Sequence, residues 1–262
     1  MAYHKKRKAK RKFVQKSIYI FGNNAAGISN KLESFKRNLD KFKPGVYFIQ
    51  ETKSRRKNQV KLNDYSVFEH IRKDKGGGGL LTAVHKNLKP VSVNEENHIE
   101  ILVVQGEINN NKVRFINGYG PQETQKEETR VEFFDRLDLE VKSAMIAGTA
   151  ICIELDANSK LGNVIIPGDP EEKSRNGKLL EKVVEENDLI VVNGTNLCKG
   201  VITRYRKTVN NTERSVIDFS LFVGGSLFSS STWKSTKIEY SLLLNSVTKL
   251  AIKDIKKVII IH

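Results

Sequence analysis

Cysteine is scarce in this 262-residue chain: Cys152 and Cys198 are the only two, and their separation fits neither a metal knuckle nor a redox pair. A disulfide framework is thereby excluded, and a reduced, intracellular compartment is expected. Long apolar runs are missing as well, so no segment reads as a membrane span. The first sixteen residues, MAYHKKRKAKRKFVQK, hold no acid and eight Lys or Arg. That charged start does not fit a secretory signal. It reads instead as an arm suited to phosphate backbones or to nuclear import, the alternative being a solvated tail without a partner. The whole chain carries a formal charge of +15, which favours a polyanionic partner. Net charge alone does not separate DNA from RNA or from anionic lipid.

What is present is a regular alternation of strand and helix patterns. SIYIFGNN predicts a strand closing on a Gly-Asn-Asn turn. NKLESFKRNLDKFKP spaces Leu32, Phe35, Leu39 and Phe42 as one helical face and stops at Pro44. GVYFIQET predicts a buried strand that delivers Glu51, and YSVFEHIR pairs with GGGGLLTAVHK around a glycine run. EILVVQGEI, NKVRFINGYGP and MIAGTAICIELDAN predict three further strands, the last two separated by the amphipathic helix EETRVEFFDRLDLEVKSA. NGKLLEKVVEENDL is another helix and IVVNG the next strand, while GVITRYR and SVIDFSLF read as a hairpin. No linker interrupts the series, so one domain of mixed sheet covered by helices is expected.

Polar residues recur at the strand ends, where open α/β sheets assemble their sites: Asn24, Glu51, Tyr119, Asp156, Asn158, Thr203 and Asp218. Singly, each also reads as a turn former. A carboxylate beside a carboxamide suits Mg²⁺, which prefers oxygen ligands. No Cys/His cluster points to zinc. The KGGGG run from Lys75 is not followed by Gly-Lys-Ser/Thr and reads as a hairpin turn, not a phosphate loop. His85 reads as a surface residue. RYRK, Arg204 to Lys207, is either a solvated hairpin end or, beside Thr203, a grip on a phosphate backbone.

In order, NNAAG, IQETK, GYGPQ, ELDANSKLG, GVITRYR and SVIDF resemble the motif series of the endonuclease/exonuclease/phosphatase superfamily, and most resemble the endonuclease domains of non-LTR retrotransposons. The likeness runs from Ser17 to Leu221. ELDAN departs from the family's Gly-Asp-x-Asn in having Leu155 first. The resemblance implies a deoxyribonuclease-like, four-layered α/β sandwich of two mixed β-sheets flanked by helices. It further implies that Asn24 and Glu51 hold Mg²⁺, with Mn²⁺ as a substitute, and that Asp156 draws a proton from water. Asn158 would orient that water or Asp156 itself, and Tyr119 would donate to a phosphoryl oxygen. Asp218 would fix a phosphate-binding histidine, and Thr203, Arg204 and Arg206 would contact DNA. No organic cofactor is implied.

The family's closing Ser-Asp-His triplet does not occur in this sequence. Permitted codons for Gly225 to Ile261, read two bases later, can be chosen to spell a tail containing KESDHN. The expectation is therefore a basic arm over 1–16, a nuclease-like domain over 17–222, and a frameshifted end of that domain over 223–262. Such a chain is a weakened or inactive DNA endonuclease of retrotransposon origin. The rival readings are a nucleic-acid-binding protein without catalysis and a phosphatase acting on small phosphoesters or inositol lipids. KKVIIIH is β-prone and expected to pair as a strand.

Overall fold

The computed structural model describes residues 17–56, 59–72, 77–93, 98–169, 172–195, 202–207, 212–223, 230–231, 234–237, 244–247, 250–251 and 257–261. The basic arm, Cys198 and His262 lie outside the described residues. Strands β1 (Ser17–Asn24), β2 (Val46–Gln50), β3 (Tyr65–His70) and β4 (Leu80–His85) form one mixed sheet in the order β1-β2-β4-β3. The C-terminal strand Lys257–Ile261 joins its open edge parallel to β1, with Ser17 opposite Lys257 and Phe21 opposite Ile261. β5 (Val91–Ser92), β6 (Ile101–Ile108), β7 (Asn111–Tyr119), β8 (Ala150–Asp156) and β9 (Leu189–Val191) belong to a second sheet. β10 (Arg204–Lys207) and β11 (Thr212–Ser215) make a separate two-stranded ribbon, and β12 (Asp218–Val223) inserts in the second sheet between β8 and β9.

Alternating side chains divide the core into layers. Ile18, Ile20, Val46 and Phe48 face Val113, Phe115, Cys152 and Phe222 between the sheets. Phe21, Tyr47 and Ile49, on the opposite face of the first sheet, are covered by Phe35 and Leu39 of α1 (Leu32–Phe42). That helix ends where Lys43 turns left-handed at φ 44°, one residue before Pro44. Outside the second sheet, Phe133, Leu137 and Val141 of α2 (Glu127–Ile146) pack on Ile151, Ile153 and Leu155. Leu180 and Val183 of α3 (Arg175–Glu186) close the same layer. The molecule is thus the expected helix, sheet, sheet, helix sandwich. Each large apolar side chain buried this way contributes roughly 1.5–3 kcal/mol.

Two expectations are corrected. GVITRYR and SVIDFSLF pair only at Ser215: Arg204–Lys207 pairs with Thr212–Ser215, while Asp218–Val223 pairs with β8 and β9. The ribbon closes on its own nearest neighbours, whereas the apolar Phe219, Leu221 and Phe222 are buried only within the larger sheet. IVVNG is strand only to Val191, and Val192–Gly194 form a 3-10 turn. Among the described residues no helix is long and apolar enough to cross a membrane.

Candidate functional site

The interior between the sheets changes character along the strands. Below lie the apolar side chains just described. Above them comes a buried polar layer, in which Gln50 Nε2 donates to Asn117 Oδ1 at 2.8 Å. Asn117 in turn donates to the carbonyls of Ile49 at 3.2 Å and Leu81 at 3.0 Å. Glu154, also fully buried, accepts a 2.7 Å bond from the Ser220 hydroxyl, and burial pushes its carboxyl well above the usual range. Further outward on these strands come site residues: Glu51 directly after Gln50, Tyr119 two beyond Asn117, Asp156 two beyond Glu154, and Asp218 two before Ser220.

Register sets the first group. Tyr119 on β7 and Asp218 on β12 both stand opposite Asp156 on β8. The first sheet supplies the rest: Asn24 ends β1, and Glu51 follows β2. Glu51 adopts a left-handed backbone, φ 48°, a conformation that costs a non-glycine residue of order 1–3 kcal/mol. The kink breaks strand alternation and brings its carboxylate to the inter-sheet side. Main-chain bonds hold it there, from Gly27 N to Glu51 O at 2.8 Å and from Thr52 N to Gly79 O at 3.0 Å. Gly79 has φ 86°, and a Cβ there would lie 2.6 Å from Thr52 Oγ1. Its N–H donates to Glu100 Oε1. Gly77 to Gly79 are therefore a buttress for the Glu51 turn between paired strands β3 and β4, in keeping with the hairpin reading.

Four side chains meet within hydrogen-bonding distance. Asn24 Nδ2 donates to Asp156 Oδ2 at 2.6 Å and to Glu51 Oε1 at 3.1 Å. The Tyr119 hydroxyl donates to the same Glu51 oxygen at 2.8 Å. Asn158, at φ 46°, donates its backbone N–H to Asp156 Oδ1 at 3.4 Å and its Nδ2 to Gly120 O at 2.9 Å. Lys53 Nζ stands 3.5 Å from Glu51 Oε2.

The crowding of carboxyls shows in their proton affinities. Asp156 is raised to about 6, by burial first and also by the charge of Glu51, against the lowering bond from Asn24. Asp218 is pushed well above its usual range by burial and then by Asp156. Burial, reinforced by Asp156 and Glu51, also raises Tyr119, so its hydroxyl stays protonated. The charge of exposed Arg204 opposes the rise at both aspartates.

Thr203 is buried, and its Oγ1 accepts from Ile217 N at 3.0 Å and Asp218 N at 3.2 Å. Its hydroxyl thus fixes the start of β12. The side chain of Arg206 lies outside the described residues. His85 caps a 3-10 turn, its Nδ1 accepting from Asn87 N at 3.2 Å, away from the carboxyl group cluster. Sequence reasoning missed Lys53, Gln50, Asn117 and Glu154. The last three could be suspected only as polar residues in otherwise apolar strands.

A hard divalent cation fits this donor set. Among the described residues no three histidine, cysteine or carboxylate side chains gather closely enough to hold a metal by themselves. Mg²⁺ asks for less, commonly one or two carboxylates with the remaining positions left to water and phosphate. Glu51 supplies such a carboxylate. Asn24 presents its amide N–H to the carboxylates, with Oδ1 bonded to Ala26 N at 2.9 Å, so ligation through Oδ1 requires the amide to turn over.

No protein-family model and no curated protein matches the sequence. Solved structures do match. The endonuclease domain of TRAS1, a telomere-specific non-LTR retrotransposon, superposes with a TM-score of 0.65 at 14% identity, covering 91% of this chain and 98% of that one. The Xenopus laevis APE2 catalytic domain gives 0.69 at 14%, covering 93% and 92%. The 3′ phosphatase NExo from Neisseria, solved with a product DNA hairpin, gives 0.63 at 13%, covering 91% and 99%. The fold is apurinic-endonuclease-like. Its two sheets place their strand ends together at one rim, and that rim is where Asn24, Glu51, Tyr119 and Asp156 converge.

Proposed function

We propose that the chain is a metal-dependent phosphodiesterase domain acting on DNA, derived from a non-LTR retrotransposon and weakened by the loss of its Ser-Asp-His motif. The observation that carries this reading is the hydrogen-bonded union of Asn24, Glu51, Tyr119 and Asp156, drawn from two sheets onto one spot. Mg²⁺ held by Glu51 and a turned Asn24 would supply positive charge to a phosphoryl group and its leaving oxygen. The chain's own groups do the rest. Asp156, deprotonated above about pH 6, takes the proton of an attacking water. Asn158, anchored to Gly120, keeps Asp156 aligned. Tyr119 remains a protonated donor and gives its hydrogen bond to a phosphoryl oxygen as charge builds there. Arg204, with Arg206 two residues further on, contacts the neighbouring phosphates. The basic arm over 1–16 adds affinity without sequence preference, and nuclear import is its second role.

In this family the residue fixed by Asp218 is the histidine of the closing triplet. With no such triplet here, cleavage is slower by about 10²–10⁴-fold, the usual scale for a missing acid or base. The test is nicking of supercoiled plasmid with Mg²⁺, compared with a variant whose tail is rebuilt to carry Ser-Asp-His. Faster nicking by the rebuilt chain is expected, and equal rates overturn the proposed weakening. Glu51→Ala should abolish residual nicking while leaving DNA affinity within a few-fold. DNA binding with no nicking in either chain identifies a non-catalytic binding protein, and hydrolysis of small phosphoesters alone identifies a phosphatase.

A further inference from the structure

The start of α3 reaches into both loops that carry site residues. Asn176, its second residue, is fully buried. Its Nδ2 donates to Pro121 O at 2.7 Å and to Asn158 O at 3.1 Å, and its main-chain N–H meets Glu123 Oε1 at 2.7 Å. Pro121 lies two residues beyond Tyr119, and Asn158 two beyond Asp156. The same loops also grip each other, through Asn158 Nδ2 to Gly120 O and Gly120 N to Asp156 O at 2.7 Å. The approach leaves no slack. A Cβ on Gly177 would fall 1.9 Å from Lys160 O, and one on Gly120 would fall 2.4 Å from Ala157 O.

We propose that Asn176 is a positioning residue for the reaction, a single carboxamide whose two N–H groups lock the Tyr119 loop to the Asn158 loop. This rests on the nuclease reading above. An amide is the side chain that serves here, since both hydrogens of one nitrogen are spent on two carbonyls from different segments. Alanine would leave both carbonyls without that donor, and aspartate would set a third acceptor against them. Asn176 touches no reacting atom. It acts through the placement of Tyr119 and Asn158, where an error of about 1 Å costs on the order of 10²-fold in rate.

The experiment compares Asn176→Ala with Leu180→Ala, which weakens the apolar packing of the same helix but removes no hydrogen bond to either loop. Plasmid nicking is read as kcat and KM, and hydrogen exchange is read at the Gly120 amide. For Asn176→Ala the expected result is kcat lower by about 10²-fold, KM changed by less than about 3-fold, and faster exchange at Gly120. Leu180→Ala should lower the melting temperature while sparing kcat and Gly120 exchange. The proposal falls if the two variants behave alike, or if Gly120 exchange quickens with kcat unchanged. Absence of nicking by both the parent protein and the chain rebuilt to carry Ser-Asp-His would instead defeat the nuclease reading, and the exchange comparison would still decide whether Asn176 locks the loops.

Discussion

At neutral pH Asp156 shares a small volume with Glu51 and Asp218, and Asn24, Lys53 and Arg204 are among the groups that offset the negative charge. Its raised proton affinity has two consequences. As a base it works only when ionised, so nicking should climb through about pH 6 and level off above it. For stability the sign is opposite. A carboxyl whose folded pKa exceeds its unfolded value holds extra protons in the native state, so its contribution is intact below its ordinary value of 3.8, fades as pH rises through about 6, and is lost above that. Asp156→Asn should therefore raise the melting temperature of the metal-free protein at pH 8 and leave it nearly unchanged at pH 4. Thermal melts at the two pH values check this, and a rise of equal size at both would contradict it. Asn24, Glu51, Tyr119 and Asp156 were legible from their places at strand ends. Lys53 was not, since its relevance depends on a left-handed turn at Glu51 that the letters around it do not announce.

β2 and the turn after it link the apolar core to the site. Phe48 is fully buried between the sheets, 6.4 Å from the Phe115 ring, while two residues on Gln50 begins the polar layer. Phe48→Ala should cost about 3–5 kcal/mol, measurable by denaturant unfolding. Gly79→Ala places a methyl against Thr52 at a backbone angle alanine rarely adopts, and so presses on the Glu51 turn. Its expected signature is a loss of Mg²⁺-dependent nicking larger than its loss of stability. The elements themselves were readable from period and turn residues. Their partners were less so, as the ribbon of β10 and β11 illustrates: Val216 to Phe222 has the alternation of a hairpin strand, yet its burial is satisfied by β8 and β9.

For the whole molecule the charge of +15 becomes a salt dependence. Each phosphate neutralised adds about 0.9 to the downward slope of log affinity against log salt for duplex DNA. Deleting residues 1–16, which carry eight basic side chains, should weaken DNA binding and flatten that slope. The nicking rate at saturating DNA should stay the same, because the four bonded site residues all lie within the sandwich. Titrations at several salt concentrations measure the slope directly.

The sequence by itself determined the element order, the faces that are buried, the strand-end polar set, and the absence of a closing Ser-Asp-His. These follow from local rules: side-chain period, turn chemistry, and composition. Only the tertiary structure decided that Asn24 offers its amide N–H groups to the carboxylates, that Gln50 and Asn117 join the sheets beneath the site, and that Asn176 ties two loops together. Each of those bonds spans 18 residues or more of chain, so it depends on how sheets and helices pack. No local pattern encodes that packing.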